Sequence, residues 1–404
     1  MIKKEGWEKK TFNDVFSIIT DGTHQTPTYT EDTVNGFKFL SSKDVVGGSI
    51  NWSKIKYIPE SLHNQLYARL APQRNDILLA KNGTTGVCAL VDTDDIFDIY
   101  VSLALLRPKI DFNVKYLVYF INSPSAKRQF NSHLKGVGVP NLHLSEIRKT
   151  KINIPPLPIQ RQIVSELDAL SDIITKKKQQ LEELNKLAQA TFYDMFGDPV
   201  SNEKGWEVKK LKDITTKINS GNTPKGGSNV YVQDGITFFR SQNVWKNNLV
   251  YDDIAFIDIQ THASMSKSSL KHKDILMTKT GRFNTENSSL GRAALFLGED
   301  DTANINGHVY LIRLKKNQVH GFVLHILTCN AFRELIRNVC VGGIDKRQIN
   351  KNHIEDFPII YPSIESQQSF SKIMDSILIQ KTLIDKSLID VQQLFDYTMD
   401  KYFN

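Results

Sequence analysis

Two loops rich in cationic and amide side chains offer the first chemistry that this sequence can perform. They contain Lys81, Asn82 and Thr84 in one case and Lys279, Thr280, Arg282 and Asn284 in the other. Lysine and arginine neutralise phosphates, and arginine and asparagine form paired hydrogen bonds with the edges of DNA bases. Each loop follows a predicted strand that begins at Asp76 or Asp274. The pattern therefore indicates binding of nucleic acid.

Other predicted loops carry side chains of the same types. They add as candidates Thr23, His24, Gln25, Lys43, Lys225, Arg240, Ser241, Asn243, Arg292, Lys346 and Arg347. For any one of these residues, a solvated loop side chain or a turn former is the simpler interpretation. Because two equivalent clusters lie on a repeated segment, we favour binding for the set as a whole.

Motifs for catalysis or metal binding are missing from the sequence. The segment IPPL at 154–157 lacks the polar first residue and the aromatic last residue of an amino-methyltransferase motif. GNTPKGGS at 221–228 has the glycine spacing of a phosphate loop, but Gly227 stands where the lysine is required. The histidines show no HExxH, and Glu8-Lys9-Lys10 fits only the last part of a nuclease pattern. Cys88, Cys329 and Cys340 are scattered, so we expect small buried thiols and no metal site.

Composition describes a globular protein with an uneven distribution of charge. The chain has 404 residues, 40% hydrophobic and 24% charged, which predicts two or more domains. With neither a signal peptide nor a long apolar run, we expect a cytoplasmic protein without a membrane span. The net charge is +7, yet residues 161–198 hold five basic and seven acidic side chains, and 364–404 hold four and six. The basic surplus is thus confined to the remaining segments, as in polyanion-binding proteins and many others.

An internal repeat relates the two halves of the chain. GWE at Gly6 returns at Gly205, and GFKFLSSKDV from Gly36 is echoed by GITFFRSQNV from Gly235. DILLAKNG and DILMTKTG follow at nearly the same offset and in the same order. The repeat predicts duplicated domains with short strands bounded by Gly, Asn and Asp. Each half also contains a predicted amphipathic helix, at 114–134 and 320–339.

A long helical pattern follows each predicted domain. In the first, apolar residues alternate at steps of three and four, interrupted by Lys177, and the seam comprises Ile163, Leu167, Leu170, Ile174, Leu181, Leu184 and Ala188. This spacing is typical of a coiled coil. Gly197 and Pro199 predict the end of the helix, so roughly 36 residues would span about 54 Å.

The second long helix has a similar pattern. Its predicted seam is Phe370, Ile373, Ile377, Ile384, Val391 and Leu394, flanked by Met374, Leu388, Phe395 and Met399. Two long helices with open apolar seams in one chain are expected to cover each other. We therefore predict that they pack as an antiparallel pair with a globular domain at each end.

The order of these motifs resembles that of the specificity (S) subunit of type I restriction-modification enzymes. The resemblance rests on GWE at each domain start, the two DIL segments with their KNG and KTG loops, PPLPIQRQI before the first long helix and FYDMFGDP at its end. It covers essentially the whole chain, although Ser363 and Ser366 weaken the proline-rich start of the second helix.

The resemblance implies an α+β fold with two pseudo-repeated mixed α/β target-recognition domains held apart by two long helices that form an antiparallel coiled coil. The expected boundaries are 1–158 and 199–363 for the target-recognition domains, and 159–198 and 364–404 for the spacer helices. Each domain would read one part of a split, asymmetric site in double-stranded DNA. The helices would set the gap and provide the docking surface for other subunits.

The resemblance also implies a chain that is not itself an enzyme. Two methyltransferase (M) subunits would bring S-adenosylmethionine, and restriction (R) subunits with motor activity would bring ATP and Mg, while this chain would bind no cofactor. Two other interpretations stay open: a coiled-coil scaffold that does not recognise DNA sequence, and a stand-alone DNA-modifying enzyme with a divergent site.

Overall fold

The structure, a computed structural model, describes residues 6–132, 141–283, 285 and 287–404. The chain divides into two compact units, one formed by Met1–Gln179 and Asp385–Asn404 and the other by Gln180–Ile384. Each unit therefore combines one globular half of the sequence with sections of both long helices. None of the helices within these described ranges is long and apolar enough to cross a membrane.

The first half is built from short strands and helices that precede a long helix. In chain order these are β1 (Glu8–Thr11), α1 (Phe12–Val15), β2 (Phe16–Asp21), β3 (Phe37–Leu40), β4 (Val45–Val46), β5 (Ser49–Ile50), β6 (Lys56–Ile58), α2 (Glu60–Arg69), β7 (Ile77–Ala80), β8 (Cys88–Leu90), β9 (Phe97–Ile99), β10 (Leu103–Pro108), α3 (Val114–Asn122), α4 (Pro124–Ser132), α5 (Leu144–Lys149), β11 (Lys151–Ile154) and α6 (Leu157–Phe196).

Two small sheets organise this half. One is antiparallel in the order β2-β10-β7-β8, and the other has the order β6-β3-β9 with β3 and β9 parallel. The apolar run of β7 is buried on both faces, since Ile77 and Leu79 belong to one hydrophobic core and Leu78 and Ala80 to another. β1 pairs with β11, so the chain that enters the domain lies beside the chain that leaves it.

The second half contains the corresponding elements. In chain order these are β12 (Val208–Lys210), β13 (Thr215–Ser220), β14 (Tyr231–Val232), β15 (Ile236–Phe239), β16 (Val244–Trp245), β17 (Asn248–Leu249), β18 (Ala255–Ile257), α7 (Ile259–Ser264), β19 (Ile275–Thr278), β20 (Thr280–Arg282), β21 (Ala293–Leu295), β22 (Ala303–Ile305), β23 (Val309–Leu314), α8 (His320–Thr328), α9 (Asn330–Val339), β24 (Val341–Gly342), β25 (Lys346–Gln348), α10 (Lys351–Glu355), β26 (Pro358–Ile360) and α11 (Ile364–Phe403).

The sheets of the second half repeat those of the first and confirm the duplication. The antiparallel sheet has the order β13-β23-β19-β21, and the second sheet has the order β14-β18-β15-β22 with β15 and β22 parallel. β12 pairs with β26 as β1 pairs with β11. β20, β25 and β24 form a further three-stranded sheet.

The aspartate of the DIL segment forms the same buried ion pair in both halves. Arg107 donates two hydrogen bonds of 2.8 Å to the carboxylate of Asp76, which is almost fully buried. Arg313 forms the same paired bonds with Asp274, at 2.8 and 2.7 Å. Paired bonds of this kind hold two adjacent strands in one register. The repeated aspartate is therefore part of the framework that carries the loops.

The two long helices run in opposite directions within each unit, as predicted. In the first unit, Leu167 near the start of α6 packs in one core with Tyr402 near the end of α11. In the second unit, the ring of Phe192 near the end of α6 lies 5.3 Å from that of Phe370 near the start of α11. The predicted seam of α6 is covered, and Lys177 lies half-buried within it. The coiled-coil interpretation is confirmed.

The predicted seam of α11 is partly wrong. Ile373 and Leu394 are 40% and 50% exposed, whereas the flanking residues Met374 and Phe395 pack against the cores of the two halves. A straight helix has 3.6 residues per turn, so its apolar face drifts from a seven-residue repeat. The flanking residues pack against the globular cores, and two of the predicted seam residues are therefore exposed to solvent.

The predicted amphipathic helices are each divided in two. A break at Pro124 was expected, and α4 begins there, after Ser123. The segment 320–339 was expected to be continuous, but Cys329 is extended, with φ −70° and ψ 162°, and separates α8 from α9. No proline or glycine marks this break in the sequence. Only the repeat does, because Cys329 corresponds to Ser123.

Candidate nucleic-acid interface

A small sheet joins two cationic segments that are far apart in the sequence. β20 and β25 are antiparallel neighbours, and their register places Arg282 opposite Lys346 and Gly281 opposite Arg347. The amide of Ile349 continues the pairing by donating a hydrogen bond of 2.9 Å to the carbonyl of Lys279. The fold thus brings together two clusters that the sequence analysis identified separately.

The cations of this sheet differ in how firmly they are held. The Arg282 side chain is 69% exposed, and its Nε lies 3.9 Å from Oδ2 of the equally exposed Asp345. Exposed pairs of this kind contribute little to stability. The Arg347 guanidinium lies over the Phe283 ring, 3.8 Å from its centre. Lys346 is exposed, and Asn284 lies outside the described residues.

Lys279 and Thr280 lie where the chain passes from β19 into this sheet. The Lys279 amide donates a hydrogen bond of 2.8 Å to the carbonyl of His308, which fixes the backbone. Its ammonium group lies 5.8 Å from the centre of the Tyr310 ring. The Thr280 hydroxyl lies 3.5 Å from Nδ1 of His308. Both side chains are half-buried at the base of the cationic sheet.

The corresponding lysine of the first half has a different environment. Lys81 is buried, and its ammonium group lies 2.5 Å from Oδ2 of Asp21. The second carboxylate oxygen of Asp21 lies 3.2 Å from Nε2 of the exposed His24. Burial alone would raise the pKa of Asp21, but Lys81 and His24 hold that pKa below its usual value. The Lys81 charge is therefore neutralised inside the domain.

Aligning the two halves shows why the lysines differ. Asp21-Gly22 corresponds to Ser220-Gly221, so a serine stands where the first half has the carboxylate. A Cβ atom on Gly22 or Gly221 would lie 1.9 or 2.1 Å from a backbone carbonyl oxygen of the neighbouring strand. Both positions therefore require glycine. The backbone is the same in the two halves, but the charge beside the lysine is not.

The remaining loop residues of the first half are partly engaged with one another. The Asn82 side-chain oxygen accepts a hydrogen bond of 3.2 Å from the Ser42 hydroxyl, and the Thr84 hydroxyl donates to the Ser42 carbonyl at 3.4 Å. Lys43 is exposed beside them. Thr23 is half-buried next to Tyr100, and Gln25 is exposed. Lys225 is exposed in the equivalent loop of the second half.

The segment Arg240–Asn243 mainly builds a turn. Asn243 is fully buried, accepts a hydrogen bond of 3.0 Å from the Arg240 amide and donates one of 3.1 Å to the Val250 carbonyl. The Arg240 side chain lies 3.1 Å from the carboxylate of Asp253. Ser241 is half-buried. In this conformation neither Lys81 nor Asn243 presents a polar group at the surface.

Arg292 belongs to another part of the second half. Its guanidinium lies 3.8 Å from the centre of the Trp245 ring, and its Nε donates a hydrogen bond of 3.1 Å to the Ser288 carbonyl. Residue type and spacing alone did not point to Trp245, Phe283 or Asp21. Asp21 was identifiable, because comparison of the repeats shows serine in its place. The two aromatic residues gave no such signal.

The described residues were also compared with the requirements of a metal site and of a reactive thiol. Within them, no group of three or more His, Cys, Asp or Glu side chains is arranged to hold a metal ion. Cys88, Cys329 and Cys340 are buried free thiols, as expected. Burial raises the pKa of the Cys329 thiol, which keeps it in the neutral form.

Comparison with known proteins identifies the fold family. Residues 4–186 and 203–393 each match the family described as "Type I restriction modification DNA specificity domain". The chain belongs to this family. The two matches correspond to the two halves of the internal repeat, and together they include most of both long helices.

The relatives of this chain are distant in sequence. The type I restriction enzyme MjaVIII specificity subunit of Methanocaldococcus jannaschii is 23% identical over 317 residues, which cover 75% of this chain and 72% of that protein. The MjaIX specificity subunit of the same organism is also 23% identical, over 73% of this chain and 69% of that protein.

Solved structures of the family share the fold. The S subunit of a type I restriction-modification system from M. genitalium has a TM-score of 0.59 at 15% identity and covers 100% of this chain and 98% of its own. A chain from a structure of a type I restriction-modification system, solved in a study of complex assembly and conformational transition, has a TM-score of 0.57 at 17% identity, with 99% and 98% covered. At these identities the likeness establishes the fold.

Proposed function

We propose that this chain is the DNA sequence-recognition subunit of a type I restriction-modification complex and that it binds an asymmetric two-part site. The observation that carries the proposal is the pair of duplicated domains with different cationic loops. Lys279, Arg282 and Lys346 gather on the second domain, whereas Lys81 of the first is neutralised by Asp21. Two readers with one framework and different loops suit a target with two different parts.

Recognition would combine attachment to phosphates with reading of bases. The exposed cations Arg282 and Lys346 suit the salt-dependent neutralisation of phosphates. Arg347 packs over the Phe283 ring, which lowers the entropy that its guanidinium loses when it binds a base edge or a phosphate. On the first domain, His24 and Gln25 are exposed in the loop after β2. Methylation would take place on an adenine that is extruded into a partner's pocket.

The chain itself would be non-catalytic. Two methyltransferase subunits would bring S-adenosylmethionine, and restriction subunits would bring ATP and Mg for translocation and cleavage. The long helices offer surfaces for docking, because α11 exposes large apolar side chains on its outer side. In the second unit these are Ile379 and Leu383, at 62% and 63% exposure, and in the first unit Leu394 and Tyr397, at 50% and 67%. One such patch in each unit matches the proposed two methyltransferase subunits.

Co-expression tests this function. The chain is produced together with the methyltransferase subunit encoded beside it, and methylated adenines are mapped in the host DNA. The proposal expects methylation within one two-part sequence, and none when either chain is produced alone. Absence of a two-part methylated sequence from the co-expressed pair would contradict the proposal.

The same preparation separates the two alternatives. A scaffold that does not recognise DNA would show no duplex binding with a steep dependence on salt. A stand-alone enzyme would modify DNA in the absence of any partner. The proposal instead expects DNA binding that weakens steeply with salt and methylation only in the presence of the methyltransferase subunit.

A further inference from the structure

The second unit contains a cavity of about 150 Å³ that the sequence analysis did not find. It is lined by Trp245 and Lys246 from the β16–β17 hairpin, by Asn287 and Arg292 from the segment before β21, and by Thr328 and Arg333 from the α8–α9 junction. These elements come from three separate parts of the chain. The cavity opens to solvent beside Trp245, whose side chain is 44% exposed.

Three of the residues that line this cavity are basic, namely Lys246, Arg292 and Arg333. Arg292 stacks on Trp245 and is held by hydrogen bonds to the carbonyls of Asn287 and Ser288. Lys246 is exposed, whereas Arg292 and Arg333 are half-buried. Burial, together with the charges of Arg333 and Lys381, lowers the pKa of Lys246. Burial and the charge of Arg333 likewise lower the pKa of Arg292.

The first half shows that the fold does not require these residues. Its hairpin β4–β5 carries Val46 and Gly47 at the positions of Trp245 and Lys246, and Val87 corresponds to Arg292. The framework around them is the same: a Cβ atom on Gly86 would touch Phe130, as one on Gly291 would touch the corresponding Ile336. Of the three basic residues only Arg333 has a basic counterpart, Lys127. The cationic cavity is therefore an addition specific to the second half.

We propose that this cavity is an anion site that holds a phosphate group between Lys246 and Arg292. Both side chains line the cavity, and their positive charges would attract a phosphate into it. The arginine is preorganised by Trp245 and by its two carbonyl acceptors, so it presents fixed donors to an oxyanion. Asn287 also belongs to the lining of the cavity.

The phosphate has two sources that share this chemistry. One is a phosphodiester of bound DNA, in which case the inference rests on the proposed function and adds a phosphate contact specific to the second half-site. The other is a small phosphorylated molecule or inorganic phosphate, which would bind whether or not the chain recognises DNA. The stacking of Arg292 on Trp245 makes tryptophan emission a direct reporter of either event.

The test uses the residues that the first half places at the same positions. The double variant Lys246→Gly/Arg292→Val removes both charges and keeps side chains that the homologous framework accommodates. Lys316→Gly, an exposed change in the turn after β23, is the matched control. Inorganic phosphate is titrated into the full chain at constant ionic strength; tryptophan emission is recorded for the proteins that keep Arg292, and bound phosphate is measured by equilibrium dialysis for all of them. We expect a saturable change for the wild type and the control, and a loss of affinity of at least tenfold for the double variant.

Binding of duplex DNA is measured on the same proteins across a range of salt concentrations. If a DNA phosphodiester occupies the site, the double variant loses about 0.9 units of salt slope, the contribution of one neutralised phosphate. An unchanged slope with lost phosphate binding assigns the site to a small phosphorylated ligand.

The inference is overturned if the wild type shows no saturable phosphate response, or if the double variant responds like the wild type. If the wild type binds DNA but shows no phosphate response, the phosphate site is contradicted and the proposed function is not. A phosphate response without DNA binding would contradict the proposed function alone.

Discussion

The ammonium group of Lys81 lies 2.5 Å from the carboxylate of Asp21 inside the first domain, and this pair has no counterpart in the second. Ser220 replaces Asp21, and Lys279 replaces Lys81. The duplicated framework thus carries a neutralised lysine in one half and a lysine without this carboxylate in the other. Loss of the Asp21 carboxylate would therefore leave a buried charge in the first half only.

Asp21→Ser should destabilise the first unit, because it leaves the Lys81 charge buried without its partner. Breaking a buried ion pair in this way typically costs about 3–5 kcal/mol. The double variant Asp21→Ser/Lys81→Met should recover most of the loss, since it removes the stranded charge. The free energy of unfolding is measured by chemical denaturation, and the stability of the first unit is measured separately by hydrogen exchange of the β7 amides. Equal stability of the wild type and Asp21→Ser would show that the pair is solvated in solution.

Arg282→Ala should weaken DNA binding by the second half without loss of stability, because its side chain is exposed and its pair with Asp345 is long. We expect the salt slope of binding to fall by about one unit, and methylation at the second half-site to weaken. Arg347→Ala should weaken methylation in the same way. Lys316→Ala also removes one charge, but in the turn after β23 and not in the cationic sheet, so it serves as the control. Unchanged methylation in both arginine variants would remove this sheet from the interface.

Protonation of His325 should weaken the second unit in acid. His325 is stacked against Phe192, and burial, with a smaller contribution from Lys246, lowers its pKa to about 4. The unfolded chain binds this proton near pH 6.5, whereas the folded chain binds it only near pH 4. The free energy of unfolding therefore decreases as the pH falls from 6.5 to 4, by up to about 3 kcal/mol. This stabilisation is complete above pH 6.5. His325→Tyr, which introduces the residue found at Tyr119 in the first half, should flatten the dependence.

Hydrogen exchange of α8 amides as a function of pH measures this effect. The wild type should lose protection steadily from pH 6.5 to 4.5, and His325→Tyr should lose clearly less. A pH dependence that is identical in the two proteins would assign the acid sensitivity to other groups.

The exposed apolar residues of α11 should be needed for assembly and dispensable for folding. Leu383→Asp should abolish co-purification with the methyltransferase subunit and leave the melting temperature nearly unchanged, because Leu383 is 63% exposed. Thr382→Asp adds the same charge about 100° away around the helix and should leave assembly intact. Assembly of Leu383→Asp at the wild-type level would contradict docking on this side of α11.

The sequence predicted the long helices well because a coiled-coil seam is a local pattern with a fixed period. Ile163, Leu167 and Ile174 are buried as expected, and Lys177 lies within the seam. Ile373 was misplaced because the cores of the globular halves, which are not local, decide which side of α11 is covered. The break at Cys329 escaped notice for a related reason, since neither Pro nor Gly marks it.

The candidate site was predictable in composition but not in arrangement. The sequence selected Arg282 and Lys346 separately, and only the pairing of β20 with β25 shows that they are neighbours. It also selected Lys81 and Asn243, whose charge or amide is satisfied within the fold. Residue type indicates what a side chain can bind, whereas its long-range partners decide whether it is available.

Exchange of one domain tests the central claim most directly. Residues 10–150 are replaced by the corresponding segment of another specificity subunit, the hybrid is produced with its methyltransferase subunit, and methylated adenines are mapped. We predict that one part of the two-part methylated sequence changes while the other part is retained. A methylated sequence that is identical before and after the exchange would contradict the assignment of one half-site to each domain.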